Sequence, residues 1–144
     1  MPQPRYPARL APWRARRGEP FSRSIRIDGL DLTGWSARSQ VRAYPDAATV
    51  LFDLISRTDP IATSSPAGTA IRVVGAGTLG VYSLVLLWIP QAPIDALEPF
   101  PSNGLEQGQS LKKAWDCVLT PPAAQGQPSC WFATDFYIDP GVTK

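Results

Sequence analysis

Apolar and polar residues alternate with a period of two along much of the chain after residue 20. In residues 21–28 the apolar side chains share one face, and Asp28-Gly29 follows as a turn pair. A longer alternation spans residues 35–43, where the residues expected to point inward are Trp35, Ala37, Ser39, Val41 and Ala43. A helix would scatter these positions around its circumference, so the pattern predicts strands.

The same pattern predicts further strands downstream. Residues 49–56 form a third, more buried strand, and residues 61–63 a short edge strand. Residues 69–74 and 79–89 are expected to form a hairpin that is closed by a glycine loop. The run 81–89 is nine residues long, about half of what a membrane-spanning helix needs, so it predicts a buried strand and no membrane segment.

The last two strands are predicted at residues 111–119 and 130–138. They would form a hairpin around the proline-rich residues 121–128, with Cys117 opposite Cys130 and Trp115 opposite Phe132. Directly opposed cysteines lie about 4.5 to 5.5 Å apart at Cα, which is close enough for a disulfide. The pair is either a disulfide or two reduced core thiols, and a reducing cytosol favours the thiols.

Proline and glycine limit the helix content. The chain of 144 residues has 16 prolines and 11 glycines, which leave little room for uninterrupted helix. A single helical turn is expected at residues 91–97, inside an irregular connection over residues 90–110. The predicted fold class is all-β, an antiparallel β-sandwich of about seven to eight strands, immunoglobulin-like or jelly-roll-like. Its parts are an extended arm at residues 1–20 and a sandwich domain at residues 21–144.

The side-chain inventory argues against catalysis. The chain has no histidine, which excludes Ser-His-Asp and Cys-His nucleophiles and the usual zinc or non-haem iron sites. Six aspartates are candidates for a glycosidase pair, but each lies at a turn, at a strand end or on a face expected to meet solvent: Asp28, Asp31, Asp53, Asp116, Asp135 and Asp139. We therefore expect no enzyme activity, no metal and no cofactor.

The net charge of +2 conceals an asymmetry. Residues 1–18 hold five arginines and no acid, so they carry +5 and the rest of the chain carries −3. Four prolines favour an extended backbone, so this arm is expected to order only against another molecule, and a solvated free terminus is the alternative. Deleting residues 1–18 would then leave the thermal transition of the monomer nearly unchanged.

Aromatic side chains among the arginines favour a role of the arm in protein contacts. Nucleic acid is not expected as a partner, because the acidic body would repel its phosphates. The residues predicted to bind a partner are Arg5, Tyr6, Arg9, Trp13, Arg14, Arg16 and Arg17. The connection at residues 90–110 is the second candidate for a contact site. It ranks below the arm because a plain crossover between strands is the favoured explanation of this connection.

Two parts of the sequence resemble the small virion domains of tailed bacteriophages and prophages. Residues 21–42 contain the opening strand, a D-G turn, an L-T-G corner at residues 32–34 and an alternating strand that ends in Q-V-R. The C-terminal part of the sequence also resembles these domains. It has Trp115-Asp116 in one strand, and its final strand runs into P-G-V-T at residues 140–143. Such modules stand at the N-terminus of upper-baseplate proteins, where they dock on the tail.

The resemblance implies a non-enzymatic virion structural protein, an assembly adaptor in the tail baseplate or fibre-attachment region. Its partners would be baseplate, tail or capsid subunits in a symmetric, multi-copy assembly. It would be made in the host bacterial cytoplasm, since the first 18 residues lack the apolar stretch of a secretory signal.

Two other functions stay open. One is a capsid decoration, or cement, protein whose N-terminal arm lashes neighbouring capsomers. The other is a carbohydrate-binding or hydrolytic β-sandwich, which would bind sugar through exposed Trp88 or Trp131.

Overall fold

The computed structural model describes residues 8–45, 47–57, 66–96, 110–122 and 126–139, and these form nine strands and one short helix. The expectation of an all-β protein is confirmed. The strands are β1 (Ala8–Arg9), β2 (Trp13–Arg16), β3 (Phe21–Asp28), β4 (Ser36–Arg42), β5 (Val50–Ser56), β6 (Gly68–Val74), β7 (Tyr82–Ile89), β8 (Leu111–Thr120) and β9 (Ser129–Asp139), and the helix is α1 (Gln91–Asp95). The predicted edge strand at residues 61–63 and most of the connection after α1 lie outside the described residues.

Strands β3 and β4 form where the alternation predicts them. In β4, Ala37, Ser39 and Val41 are buried while Arg38 is exposed, because successive side chains point to opposite faces of the sheet. After β3, Gly29 turns the chain with a φ of 73°, a backbone conformation that other residues rarely adopt. Local pattern and turn chemistry therefore agree in this part of the chain.

The strands join into one curled, mixed sheet in the order β1-β9-β8-β4-β5-β6-β7-β3, and β2 also pairs with β9. Two halves, from β9 to β5 and from β6 to β3, are antiparallel within themselves. They meet through a parallel contact of two residue pairs, Ile55 with Gly68 and Ser56 with Thr69. The all-antiparallel arrangement expected from the sequence is wrong for this contact and for β1 and β2, which run parallel to β9.

The two ends of the sheet come together around aromatic side chains. Phe21 of β3 lies 5.0 Å from Phe136 of β9, measured between ring centroids, and Phe52 of β5 lies 6.4 Å from Phe136. Because β3 and β9 are at opposite ends of the strand order, this contact requires the sheet to curl back on itself. Phe136 is completely buried, so the core lies inside the curl.

Two buried hydroxyls link the halves of the sheet from inside. Thr69 of β6 donates a hydrogen bond of 3.0 Å from its Oγ1 to the backbone carbonyl of Leu54 in β5. Ser39 of β4 lies 2.8 Å from the same Oγ1, and it therefore donates to Thr69. Both residues are 0% exposed, so these bonds satisfy polar groups that water cannot reach.

The hairpin of β8 and β9 differs from the predicted register. Cys117 pairs with Phe132 and Cys130 with Val118, so the two cysteines are not directly opposite. The physical reason is a β-bulge at Cys117 and Val118, where Trp131 is the extra residue of β9. At the bulge, the side chains of β9 change the face of the sheet to which they point, and Trp131 is therefore buried.

Removing the hydroxyl of Thr69 should destabilise the fold. We expect Thr69→Val to lower the free energy of unfolding by about 1 to 3 kcal/mol, because the Leu54 carbonyl and the Ser39 hydroxyl lose their partner in a buried place. Urea unfolding measures the change. The matched control is Thr78→Val, since Thr78 donates a similar bond to the Gly75 carbonyl at an exposed turn, and its cost should stay within about 0.5 kcal/mol. Equal costs for the two variants would contradict the buried link.

Candidate interaction surfaces

The described part of the N-terminal arm lies on the body of its own chain. Strand β1 pairs in parallel with β9 at Ala8 and Arg9, and β2 pairs with β9 from Trp13 to Arg16. Between them, the Thr134 hydroxyl lies 2.9 Å from the carbonyl oxygen of Leu10 and 3.0 Å from that of Ala11, to which it can donate. The arm therefore continues the sheet beyond β9, where the strand would otherwise be an open edge.

Trp13 anchors the arm to the core. Its ring centroid lies 4.4 Å from that of Trp115 and 5.9 Å from that of Phe21. Two residues further along β2, Ala15 is only 3% exposed. The expectation that the arm orders only against another molecule is therefore wrong for residues 8–20, because inward-facing Trp13 and Ala15 give β2 an apolar face that packs on the body.

Two of the arm arginines form ion pairs with β9. Arg9 Nη2 lies 2.9 Å from Asp135 Oδ1, and Arg14 Nη1 lies 2.7 Å from Asp139 Oδ1. Arg14 also covers the ring of Tyr137, at 4.6 Å from the ring centroid. Both arginine side chains are more than half exposed, so each pair contributes at most about 1 kcal/mol and orients the arm more than it holds it.

The other predicted partner-binding residues do not gather into one site. Arg16 is exposed at the end of β2, and Arg17 Nη1 lies 3.3 Å from the carbonyl oxygen of Asp95, the last residue of α1. The backbone amide of Gly18 donates a bond of 2.7 Å to the Asp95 carboxylate. Arg5 and Tyr6 lie outside the described residues, and partner binding by this set stays a prediction.

The cysteines are free thiols. Cys117 is buried and Cys130 is half-buried. Burial raises the pKa of Cys117 far above that of a free thiol, and nearby Cys130 and Asp116 add to the effect. Burial also raises the pKa of Cys130, with a further contribution from Asp116. Since the thiolate is the reactive form, neither cysteine has the features of a catalytic nucleophile.

A second surface lies on the outer face of β3, β7 and β6, which we call the outer face. The middle strand contributes apolar residues that point away from the core: Tyr82, Leu84, Leu86 and Trp88. Across from them on β3 stand Ser22, Ser24, Arg26 and Asp28, which are exposed. On the other side β6 contributes Gly68, Ala70, Arg72 and Val74, of which only Arg72 is exposed. Strand β7 is therefore apolar on both faces, although only its inner face is covered by the core.

Neither tryptophan proposed for sugar binding is exposed. Trp88 is 8% and Trp131 is 5% exposed. Trp131 packs edge-on against Trp35, with ring centroids 5.7 Å apart, and its indole nitrogen donates to the Ser129 hydroxyl. The expectation of two exposed tryptophan platforms is thus wrong, for Trp131 because of the bulge in β9.

Most of the candidate carboxylates have structural partners. Asp28 pairs with Arg26, Asp53 receives a bond of 2.9 Å from Arg38 Nε, and Asp135 and Asp139 pair with the arm. The Arg38 bond lowers the pKa of Asp53, and the Thr33 hydroxyl lowers the pKa of Asp31. A general acid of a glycosidase needs a raised pKa, so neither Asp31 nor Asp53 fits that role.

No protein-family model matches the chain, and no curated protein matches it. In the described ranges, no three His, Cys, Asp or Glu side chains are grouped so that they could hold a metal ion. No helix there is long and apolar enough to cross a membrane. Function must therefore be inferred from the two surfaces.

Truncating the anchor should destabilise the monomer. We expect Trp13→Ala to lower the free energy of unfolding by about 2 to 4 kcal/mol, because the contacts with Trp115 and Phe21 are lost. The neighbouring Arg14→Ala serves as the control, since it removes only exposed contacts and should cost less than about 1 kcal/mol. Denaturant unfolding compares the two. A Trp13→Ala variant as stable as Arg14→Ala would show that the arm is not part of the fold.

The thiols should react unequally. In the native protein at pH 8, we expect iodoacetamide to modify Cys130 slowly and Cys117 only after unfolding, because burial disfavours the thiolate of Cys117 most. Mass spectrometry of the digested protein identifies the modified residue. If both cysteines stayed unmodified in denaturant until a reductant was added, a disulfide would be present and the free-thiol assignment would be wrong.

Proposed function

We propose that this protein is a non-enzymatic assembly component of a tailed-phage virion, an adaptor in the tail baseplate or fibre-attachment region, in which the N-terminal arm of one copy clasps a neighbouring copy. The observation that carries the proposal is the way the arm is attached. It is an added parallel strand with one aromatic anchor and two ion pairs at its surface. These contacts suit the joining of subunits as well as the closing of a monomer.

The contacts of the arm can be transferred between identical copies. Every copy offers the same β9 edge, the same Trp115 ring and the same carboxylates at Asp135 and Asp139. An arm that crossed to a neighbour would recover all of these contacts, so the two arrangements would differ mainly in the connection between β2 and β3. That connection is residues 17–20, and Gly18 there has a φ of 92°. Exchange of an identical element through such a hinge is a low-cost route to assemblies.

The sequence resemblance of residues 21–143 supports the proposal that the protein is part of a virion. We propose that the fold is a variant of the small virion sandwiches, immunoglobulin-like or jelly-roll-like. The two antiparallel halves of the sheet would correspond to the two layers, and the short contact of β5 with β6 would connect them. Burial of Trp88 and Trp131 removes the support for the carbohydrate-binding alternative.

Cysteine cross-linking tests the exchange of arms. Arg9 and Ala133 are paired Cα positions of β1 and β9, which suits a disulfide between introduced cysteines. One copy carries Arg9→Cys and the other Ala133→Cys, both with Cys130→Ser to limit side reactions. After the copies are mixed, partly unfolded, refolded and oxidised, we expect a covalent heterodimer on a non-reducing gel.

The control is a single chain with both Arg9→Cys and Ala133→Cys. It should form an internal bond and migrate as a monomer when dilute, which shows that the two positions can be bridged. If this control cross-links while the mixture yields only monomers, the proposed clasp is wrong.

Imaging of particles tests the location. Gold-labelled antibody against the protein should bind at the tail end of virions that contain it. Label spread over the shell would contradict the tail assignment and support the decoration protein instead.

A further inference from the structure

The outer face has the apolar and polar layout of a protein interface. Its open part follows Tyr82, Leu84 and Leu86 along β7, and Ile55 of β5, which is 48% exposed, extends the apolar area past Gly68. Polar and charged residues of β3 stand on one side, and Arg72 of β6 stands on the other. An apolar centre within a polar rim is the usual composition of a docking site.

A depression beside β3 could hold an apolar side chain of a partner. It measures about 420 Å³ and is lined by Ser22, Arg23, Ser24, Leu86 and Leu87. The two serines are small, so Leu86 forms part of its floor instead of being covered by its neighbours. Pockets of this kind accept the anchor residues that contribute most of the affinity of an interface.

Strand β3 is also a sheet edge. Among the described strands it pairs with β7 alone, so one side of its backbone is free to accept another strand. Six residues of β3 are exposed or half-exposed between Ser22 and Ile27. An extended segment that added to this edge would place alternate side chains over the depression and the outer face.

The charge of this region determines the kind of partner. Strand β3 carries two exposed arginines, Arg23 on the same face as Phe21 and Arg26 on the outer face, and one carboxylate, Asp28, which is paired with Arg26. Arg23 forms no ion pair with any described residue, although the chain outside residues 1–18 has a net charge of −3. This local excess of positive charge attracts acidic groups.

A second copy of the chain fits this surface poorly. A two-fold contact would bring the same surface of two molecules together and therefore arginine against arginine. Charged side chains on an edge strand also oppose pairing between copies. The same arginines that repel a second copy attract an acidic segment.

We propose that the edge of β3 and the outer face dock an extended acidic segment of a partner protein. The segment adds as a strand beside β3, places an apolar side chain in the depression over Leu86 on the outer face, and directs a carboxylate on the opposite face to Arg23. This site is separate from the arm and goes beyond the proposed function, since it assigns a second partner surface that the exchange of arms does not use.

A peptide-display selection tests the proposal. The full-length protein is immobilised and exposed to a random library of peptides of about twelve residues, long enough to span β3. We expect the enriched peptides to alternate acidic and apolar residues. A synthetic peptide of the enriched sequence should slow amide hydrogen exchange in residues 22–28.

Charge reversals locate the binding site. Arg23→Glu should weaken binding of the enriched peptide about tenfold or more, because an attraction becomes a repulsion. Lys112→Glu is the matched control, since Lys112 is exposed on β8, away from the outer face, and undergoes the same change of charge; it should leave the affinity unchanged. Thermal unfolding confirms that both variants fold.

Three results would overturn the proposal: enrichment of basic or uncharged peptides, equal loss of affinity in the two variants, or protection outside residues 22–28. The cross-linking of the arms does not depend on any of these results, so failure here leaves the clasp intact.

Discussion

The parallel pairing of β2 with β9 is the interaction on which the rest of the structure depends. Strand β9 holds β8 on one side and the arm on the other. Its Phe136 contacts Phe21, so the strand also joins the far end of the sheet. Without β2, the ring of Trp115 would lose its nearest aromatic neighbour and the edge of β9 would be open. The arm thus belongs energetically to the fold, even though its composition suggests a disordered tail.

In the structure, the apolar residues and the arginines of the arm have different roles. The aromatic and small apolar residues, Trp13 and Ala15, stabilise the fold through burial. Arg9 and Arg14 remain largely exposed and orient the arm more than they stabilise it. The proposed clasp between copies would use both sets. The proposed docking site, at the other end of the strand order, would instead use the edge of β3 and Arg23. Together the two proposed sites would give the protein the two binding surfaces that the proposed adaptor role needs.

Much of the fold could be predicted because its signals are local. The alternation in β4, the Asp28-Gly29 turn and the helical turn of α1 each depend on a few neighbouring residues. The docking of the arm could not be predicted in this way, since Trp13 and Phe136 are paired across more than a hundred residues and a parallel strand leaves no turn signal. The bulge at Trp131 was equally hidden, because Cys130, Trp131 and Phe132 are all apolar, so the sequence does not show where the facing of the strand reverses. The apolar run of β7 predicted a buried strand, which is correct for the inner face and wrong for the open part of the outer face.

Amide hydrogen exchange of the native, full-length protein tests the central claim most directly. If β2 is part of the fold, those amides of residues 13–16 that donate hydrogen bonds to β9 will exchange about as slowly as the amides of β9, because the same unfolding event must expose both. Exchange of residues 13–16 at the rate of an unstructured peptide, while β9 stays protected, would contradict the account.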